Sequence, residues 1–408
     1  MYIRSFRVKN FMIHRDTEVG LFPVTVLVGP NNGGKSAFFD ALLNFSMVSR
    51  GRLAQAFGPG PFSYAALRHH GASAVARVGF DVRMSEAKES EREVRYQVSY
   101  EQHGGETGAY IIFDESLEVD GAIVFVRSNA DAFPMGGTVR HLSGDRSIFA
   151  AIRAAQLTGE YEEADPLVTL CAREISRLTK YRLDPATLSR PSRTPQISTE
   201  NLEASPTPRI DYRGEDLPSV LYYLSETQSP AMGPIVERLT ECLSGFEGFQ
   251  FNTIGTDRIG FSVQFADPRG VVPAANLSDG TLSLIGMMAL LLTPDRPSVM
   301  CIEEPENGLT PRATRAVYEA IRDLAFNEDL AARSQILISS HSPFVICAAW
   351  NGEDRDFIYH MKEVDGDAIV RTFGSIIGEH EIPLAKQEGE RRLLSLNTAD
   401  QILEGYYS

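Results

Sequence analysis

Eight consecutive residues, Gly29-Pro30-Asn31-Asn32-Gly33-Gly34-Lys35-Ser36, follow the pattern G-x-x-x-x-G-K-[ST]. Glycines at these places let successive backbone N–H groups turn inward onto phosphate oxygens. The first turn of a following helix, Ser36 and Ala37 included, adds partial positive charge, and Lys35 neutralises the β and γ phosphates. Ser36 supplies the hydroxyl that such a cradle uses to ligate Mg2+.

Three further groups belong to the same chemistry. The apolar run Ser298-Val299-Met300-Cys301-Ile302 ends in Glu303-Glu304-Pro305-Glu306, so a strand would carry paired carboxylates to the carboxyl edge of a sheet. There Glu303 would hold Mg2+ through a water, and Glu304 would polarise an attacking water as general base. Taken alone, two adjacent glutamates fit a solvated turn about as well. Their place downstream of the glycine-rich loop favours the chemical reading. Asn276-Leu277-Ser278-Asp279-Gly280-Thr281 opens an apolar helix, where Ser278, Asp279 and Gly280 form a second anion site. That site faces either this chain's own loop or another chain's. Finally, Gln335 to Ser339 reads as a buried strand that delivers Ser340-His341-Ser342-Pro343 to the same edge, with His341 as a γ-phosphate sensor.

The elements that must position these groups are readable around them. Residues 2–9 and 24–28 read as strands, the second of the fully buried kind, and Ser36 to Val48 has helical spacing. From about 74 to 127 short alternating segments suggest an antiparallel subdomain, and 145–183 turns helical. Six prolines and many Ser and Thr over 184–218 predict a long surface loop. Helical spacing returns over 219–243, then strands around 249–253 and 259–265. Near the end, Asp365-Gly366 predicts the turn of a hairpin. These elements give a layout of 1–140 as an N-terminal half, 141–248 as a helical lobe with the Pro-rich loop, and 249–408 as a C-terminal half.

Composition narrows the class. With 408 residues, 43% hydrophobic, the chain supports a sizeable core. Its 39 Lys plus Arg against 54 Asp plus Glu leave a formal charge of -15, which argues against a constitutive clamp on a phosphate backbone. Single cysteines at 171, 242, 301 and 347 suit a reducing cytosol, and the Leu282–Leu292 run is too short to cross a bilayer. A cytoplasmic protein with no membrane partner is the expectation. Arg68-His69-His70, Arg190, Arg193 and Arg209 are the positions that could touch DNA or a partner.

Glycine-rich loop, L-S-x-G helix, Glu-Glu strand and strand-end histidine, in that order, resemble the ABC-type ATPases. More narrowly the chain is similar to the AAA-annotated branch that includes RecF, SMC heads and OLD-type ATPases. IRSFRVKNFMIHRDTEV, VTVLVGPNNGGKS, LSDGT, IEEPENGL and SSHSP carry the likeness. The resemblance implies an α/β P-loop NTPase fold with a mixed central sheet, an antiparallel β subdomain and an inserted helical lobe. It implies ATP and Mg2+ as cofactors and a head-to-tail pair or higher oligomer. Each ATP would lie between Gly29–Ser36 of one chain and Ser278–Gly280 of the other, with Asn307 to Leu309 as the D-loop between sites. It further implies a separately encoded effector or nuclease, in DNA repair or defence against phage.

The sequence departs from that pattern in three ways. Glu303 stands where most ABC ATPases carry Asp, Thr310 stands where relatives often have His, and Gln55, Gln97 and Gln102 leave the Q-loop glutamine unassigned. Two other classes compete. An OLD-like nuclease would need a further metal domain after His341, where the 67 residues given include Asp354, Asp356, Asp365 and Asp367 but read more simply as a hairpin. A transporter's nucleotide-binding subunit would need a membrane partner, which the RecF-like start disfavours.

Overall fold

The chain opens on an antiparallel pair, β1 (Tyr2–Phe11) and β2 (His14–Gly20), followed by β3 (Val24–Val28). All five residues of β3 are buried, and their alternation feeds two different cores. Val24, Val26 and Val28 enter one, and Leu27 the other. α1 (Lys35–Val48) then packs Phe38, Phe39, Leu42 and Phe45 into Leu27's core. The computed structural model describes residues 1–51, 53–57, 63–73, 76–102, 110–128, 131–134, 143–158, 165–196, 208–266, 268–329, 332–351, 357–380, 385–386 and 392–404.

Two short helices, α2 (Leu53–Ala56) and α3 (Tyr64–Leu67), lead into the antiparallel region. It comprises β4 (Val78–Ser85), β5 (Val94–Gln102), β6 (Tyr110–Val119), β7 (Ala122–Ser128) and β8 (Asp131–Pro134). These join β1 and β2 in one seven-stranded sheet, ordered β2-β1-β4-β5-β6-β7-β8. Its inner face closes over α1 through aromatic contacts, Phe6 on Phe38 at 5.5 Å and Tyr96 on Phe45 at 5.8 Å between centroids.

α4 (Ile148–Thr158) and α5 (Pro166–Ile175) are the expected helices, but the 145–183 stretch is not helical throughout. Thr179–Tyr181 forms a strand, β9, in the central sheet. Three residues show no period of their own, and the partner that stabilises them lies far along the chain. The 184–218 stretch also carries structure, in α6 (Pro185–Leu188) and β10 (Ser192–Arg193), while 197–207 lie outside the described residues. The next helical stretch divides into α7 (Leu217–Glu226) and α8 (Met232–Cys242). β11 (Phe246–Ile254), β12 (Arg258–Phe265) and β13 (Gly270–Pro273) follow, and with β10 they make a four-stranded antiparallel sheet.

The remaining elements complete the central sheet and one face of it. They are α9 (Asp279–Leu292), β14 (Val299–Glu303), α10 (Pro311–Ala325), β15 (Gln335–Ser340) and α11 (Pro343–Asn351). β16 (Ile358–Val364) and β17 (Asp367–Thr372) form the expected hairpin, with Asp365 at φ 53° and Gly366 at φ 86°, as a type I′ turn requires. α12 (Phe373–Glu379), a β18 (Ala385–Lys386) and β19 (Arg392–Leu393) pair, and α13 (Leu396–Leu403) end the described chain.

The central sheet runs β17-β16-β3-β15-β14-β9, parallel except for β17. Met300, Ile302, Ile336 and Ile338 face the helices α7 to α11, whereas Val299, Cys301 and Leu337 face α1 and the aromatic core. This is the α/β architecture, mixed sheet and antiparallel subdomain that the motifs imply. Parallel strands put their carboxyl ends on one edge, where ligands of open α/β sheets bind. Among the described residues no helix is long and apolar enough to cross a membrane.

Candidate nucleotide site at the sheet edge

β3 ends at Gly29, and the glycine-rich loop folds directly under β16. A Cβ on Gly29 or Gly33 would lie 2.1 or 2.4 Å from the Met361 carbonyl oxygen, so backbone fills the space a side chain would need. Gly34, at φ 99°, starts α1. Gly33, Gly34, Lys35 and Ala37 are buried, whereas Pro30, Asn31, Asn32 and Ser36 are exposed. The loop therefore has a rigid floor and an open rim. Lys35 Nζ donates to the carbonyls of Gly29 at 2.7 Å and Pro30 at 2.9 Å, folding the cation back across the cradle. Burial pulls its pKa down, and the nearby Glu304 and Glu306 carboxylates oppose that.

A histidine outside the motifs braces this loop. His14 on β2 is fully buried, with Nε2 3.0 Å from the Gly34 carbonyl and Nδ1 3.0 Å from Thr17 Oγ1. A carbonyl only accepts, so Nε2 carries the proton and Nδ1 receives the threonine hydroxyl. Burial holds His14 down at about 4, neutral at ordinary pH.

β14 and β15 place the two carboxylates and His341 beside one another. Glu303 is 4% exposed, and its Oε1 has no hydrogen-bond donor among the described residues. Its nearest cation is Lys180 on β9, with Nζ 3.7 Å from that oxygen and 2.5 Å from Asp40 Oδ1 of α1. Glu304 sits at φ 47°, a left-handed conformation costing on the order of 1 kcal/mol that its surroundings must impose. Its N–H donates to the Ser339 carbonyl at 2.9 Å, and its carboxylate lies between His341 Nδ1 at 3.6 Å and Arg182 Nη2 at 3.9 Å. Glu306 accepts from Ser340 Oγ at 2.6 Å, and burial raises its pKa.

The buried, donor-free Glu303 oxygen and the glycine cradle are features that a nucleotide with its divalent cation would use. Among the described residues there is no cluster of three or more metal-ligating side chains. Mg2+ needs none, since it is usually held by one or two carboxylates and the substrate's phosphates.

The turn of the L-S-x-G motif, Ser278 to Gly280, here called the signature turn, lies elsewhere on the surface of these elements. Ser278 caps α9 by accepting from the Thr281 N–H at 3.3 Å, and both Ser278 and Asp279 are exposed. A Cβ on Gly280 would come within 2.4 Å of the Gly308 carbonyl, so this turn packs on the Asn307–Leu309 segment. Thr310 caps α10 through the Ala313 N–H.

Several other sequence-level candidates have structural work to do. His69 is buried 2.8 Å from Asp367, which also pairs with Arg15, and Arg209 is paired with Asp295 at 2.7 Å. Arg193 lies on β10 opposite Arg258. Asp365 belongs to the hairpin turn, and Asp354 and Asp356 lie outside the described residues. Gln97 is tied to Asp81 and Ser116 within the antiparallel sheet, and Gln102 ends β5. The side chain of Gln55 lies outside the described residues. Sequence reading missed His14, Asp40, Lys180 and Arg182. The histidine's place in an alternating strand was a weak signal, and the β9 residues gave none.

Fold and motif order together define an ABC-type ATPase of the RecF/SMC-like branch. Within that class the chain belongs to the family described as "AAA domain, putative AbiEii toxin, Type IV TA system", which matches residues 24–347. Its fold is similar to that of an SmcHead solved bound to the C-winged helix domain of ScpA, at 12% identity and TM-score 0.53, covering 93% of this chain and 100% of that one. An SMC head domain from Thermotoga maritima matches at 13% identity and TM-score 0.46, covering 91% and 99%. The Smc head domain with an extended coiled coil from Pyrococcus furiosus, bound to the C-terminal domain of ScpA, matches at 11% and 0.47, covering 93% and 98%. No curated protein matches the sequence.

Proposed function

We propose that this ATPase is a switch, pairing head to tail around ATP and Mg2+ and using hydrolysis to release the pair. The observation that carries the reading is the juxtaposition at one sheet edge of the glycine cradle with Glu303, Glu304 and His341, while Ser278 and Asp279 remain exposed. Gly29 to Gly34 would cradle the phosphates through backbone N–H groups, with Ser36 and Ala37 at the helix N-terminus. Lys35 would leave the Gly29 and Pro30 carbonyls for the terminal phosphates. Ser36 and Glu303 would hold Mg2+, which neutralises charge on the phosphate oxygens when bound.

Glu304 would take the proton of the attacking water. Its strained backbone, with Arg182 on one side and the His341 ring on the other, would keep the carboxylate directed along the edge. His341 would contact the γ phosphate. Ser278, Asp279 and Gly280 would meet the phosphates of the nucleotide held by a second copy, and the Gly280–Gly308 contact would pass that event to the D-loop.

The output is proposed to be regulation of a separately encoded effector or nuclease in the cytoplasm. The family's description as a putative toxin of a type IV TA system favours defence over DNA repair. The similar SmcHead is solved with a bound partner, ScpA, which supports a partner-directed role. Glu304→Gln tests the chemistry: turnover should fall by about two to four orders of magnitude while ATP binding persists. Equal turnover in wild type and variant would refute the assignment of the base.

A further inference from the structure

We propose that Arg182 is a catalytic residue of the nucleotide site, an arginine supplied by the same chain to the terminal phosphate. The proposal rests on the ATPase reading above. It starts from the register of β9, whose Lys180 lies beside Cys301 and Tyr181 beside Ile302; Arg182 is the residue that follows the strand, and its guanidinium lies 3.9 Å from the Glu304 carboxylate. Neighbours in a parallel ladder share a face, and alternate residues return to it. Tyr181 accordingly joins the core under α7 to α11, while Lys180 reaches Asp40 on α1. Arg182 follows directly after Tyr181 at the carboxyl end of the strand, the edge that carries the glycine cradle.

Two contacts set Arg182 beside the site: Lys180, two residues earlier, reaches Asp40 on α1, and the Arg182 guanidinium itself lies 3.9 Å from the Glu304 carboxylate.

Charge distinguishes Lys180 on β9 from Arg182 just after it. Lys180 is 8% exposed, and although burial opposes it, Asp40 and Glu303 raise its pKa and occupy its ammonium. The Arg182 side chain is 57% exposed, and its contact with Glu304 at 3.9 Å is longer than a hydrogen bond. Its backbone N–H is fixed by the Tyr212 carbonyl at 2.9 Å. The strand end is thus anchored while the guanidinium stays available, and its planar fork matches phosphate oxygens. Arg182 transfers no proton and forms no bond. It stabilises the charge that builds on the transferred phosphoryl oxygens, beside the carboxylate that activates the water.

The test compares the purified full chain with Arg182→Ala and Arg182→Lys, measuring turnover and, separately, equilibrium binding of fluorescent ATP and ADP analogues. Arg182→Ala should lower turnover by about 10²- to 10³-fold and weaken ATP about tenfold, with ADP changed less than about twofold. Arg182→Lys should recover part of the ATP preference. Unchanged turnover and an unchanged ATP-to-ADP ratio would overturn the proposal. Equal weakening of both nucleotides would also overturn it, because that is a structural loss. A wild-type chain that binds ADP but does not hydrolyse ATP would remove the ATPase reading, and this proposal with it.

Discussion

The glycine-rich loop and the signature turn are both glycine-bearing turns at helix N-termini, yet one is built into the interior and the other lies open. Gly33 is buried against the Met361 carbonyl, and Gly34 is braced by His14. Ser278 and Asp279 are exposed, and within 4 Å a Cβ on Gly280 would meet only Gly308 among the described residues. A cradle walled by its own chain is suited to hold a phosphate before any second chain arrives. An open turn that packs on the segment after β14 is suited to report the arrival of another surface. The difference teaches that turns of one type can be built to separate degrees of burial, and under the proposed function the enclosed one would bind and the open one would signal.

The largest effect should come from breaking the enclosed turn. Gly33→Ala puts a methyl group 2.4 Å from a backbone oxygen that cannot rotate away, so the loop must move. Nucleotide affinity should fall by about 100-fold or more, read by equilibrium binding, with the fold retained by circular dichroism. Breaking the open turn should behave differently. Ser278→Arg should leave binding to a single chain within about twofold, because it alters an exposed cap worth about 1 kcal/mol. ATP-dependent pairing should nonetheless be lost, as seen by sedimentation. Loss of nucleotide binding on a single chain would merge the two turns into one function.

The smallest effect concerns the brace. His14 is held down at about 4 by burial, whereas an unfolded histidine titrates near 6.5. Below 6.5 the unfolded chain takes up a proton that the folded chain refuses. The brace's contribution is therefore present above pH 6.5 and lost as pH falls toward 4, in total about 3 kcal/mol. His14→Gln keeps a donor for the Gly34 carbonyl and removes the titration. Melting temperatures of wild type and variant should therefore converge as pH falls through that window. Parallel curves would show that His14 does not titrate as its burial requires.

Much of the enclosed turn was legible in the sequence because its information is local. A buried strand, a glycine pattern and a helix occur in succession over Val24 to Val48, and each has its own period or residue preference. The Asp365-Gly366 hairpin was legible for the same reason, but its place beside β3, with Met361 forming the floor of the loop, was not. That depends on a pairing between distant segments. β9 was hidden more completely. Three residues cannot display alternation, and Lys180 becomes meaningful only once Asp40 and Glu303 lie beside it. The neighbouring 184–218 stretch misled through its prolines, two of which start helices at Pro185 and Pro218 instead of breaking them.

The central claim is that the open signature turn completes a nucleotide site across two chains. Light scattering on Glu304→Gln, with and without ATP and Mg2+, tests it most directly, since this variant should trap whatever assembly ATP creates. The account predicts a mass that doubles on adding ATP and stays single when Ser278→Arg is combined with it. A mass that remains that of one chain under both conditions, with ATP demonstrably bound, would contradict it.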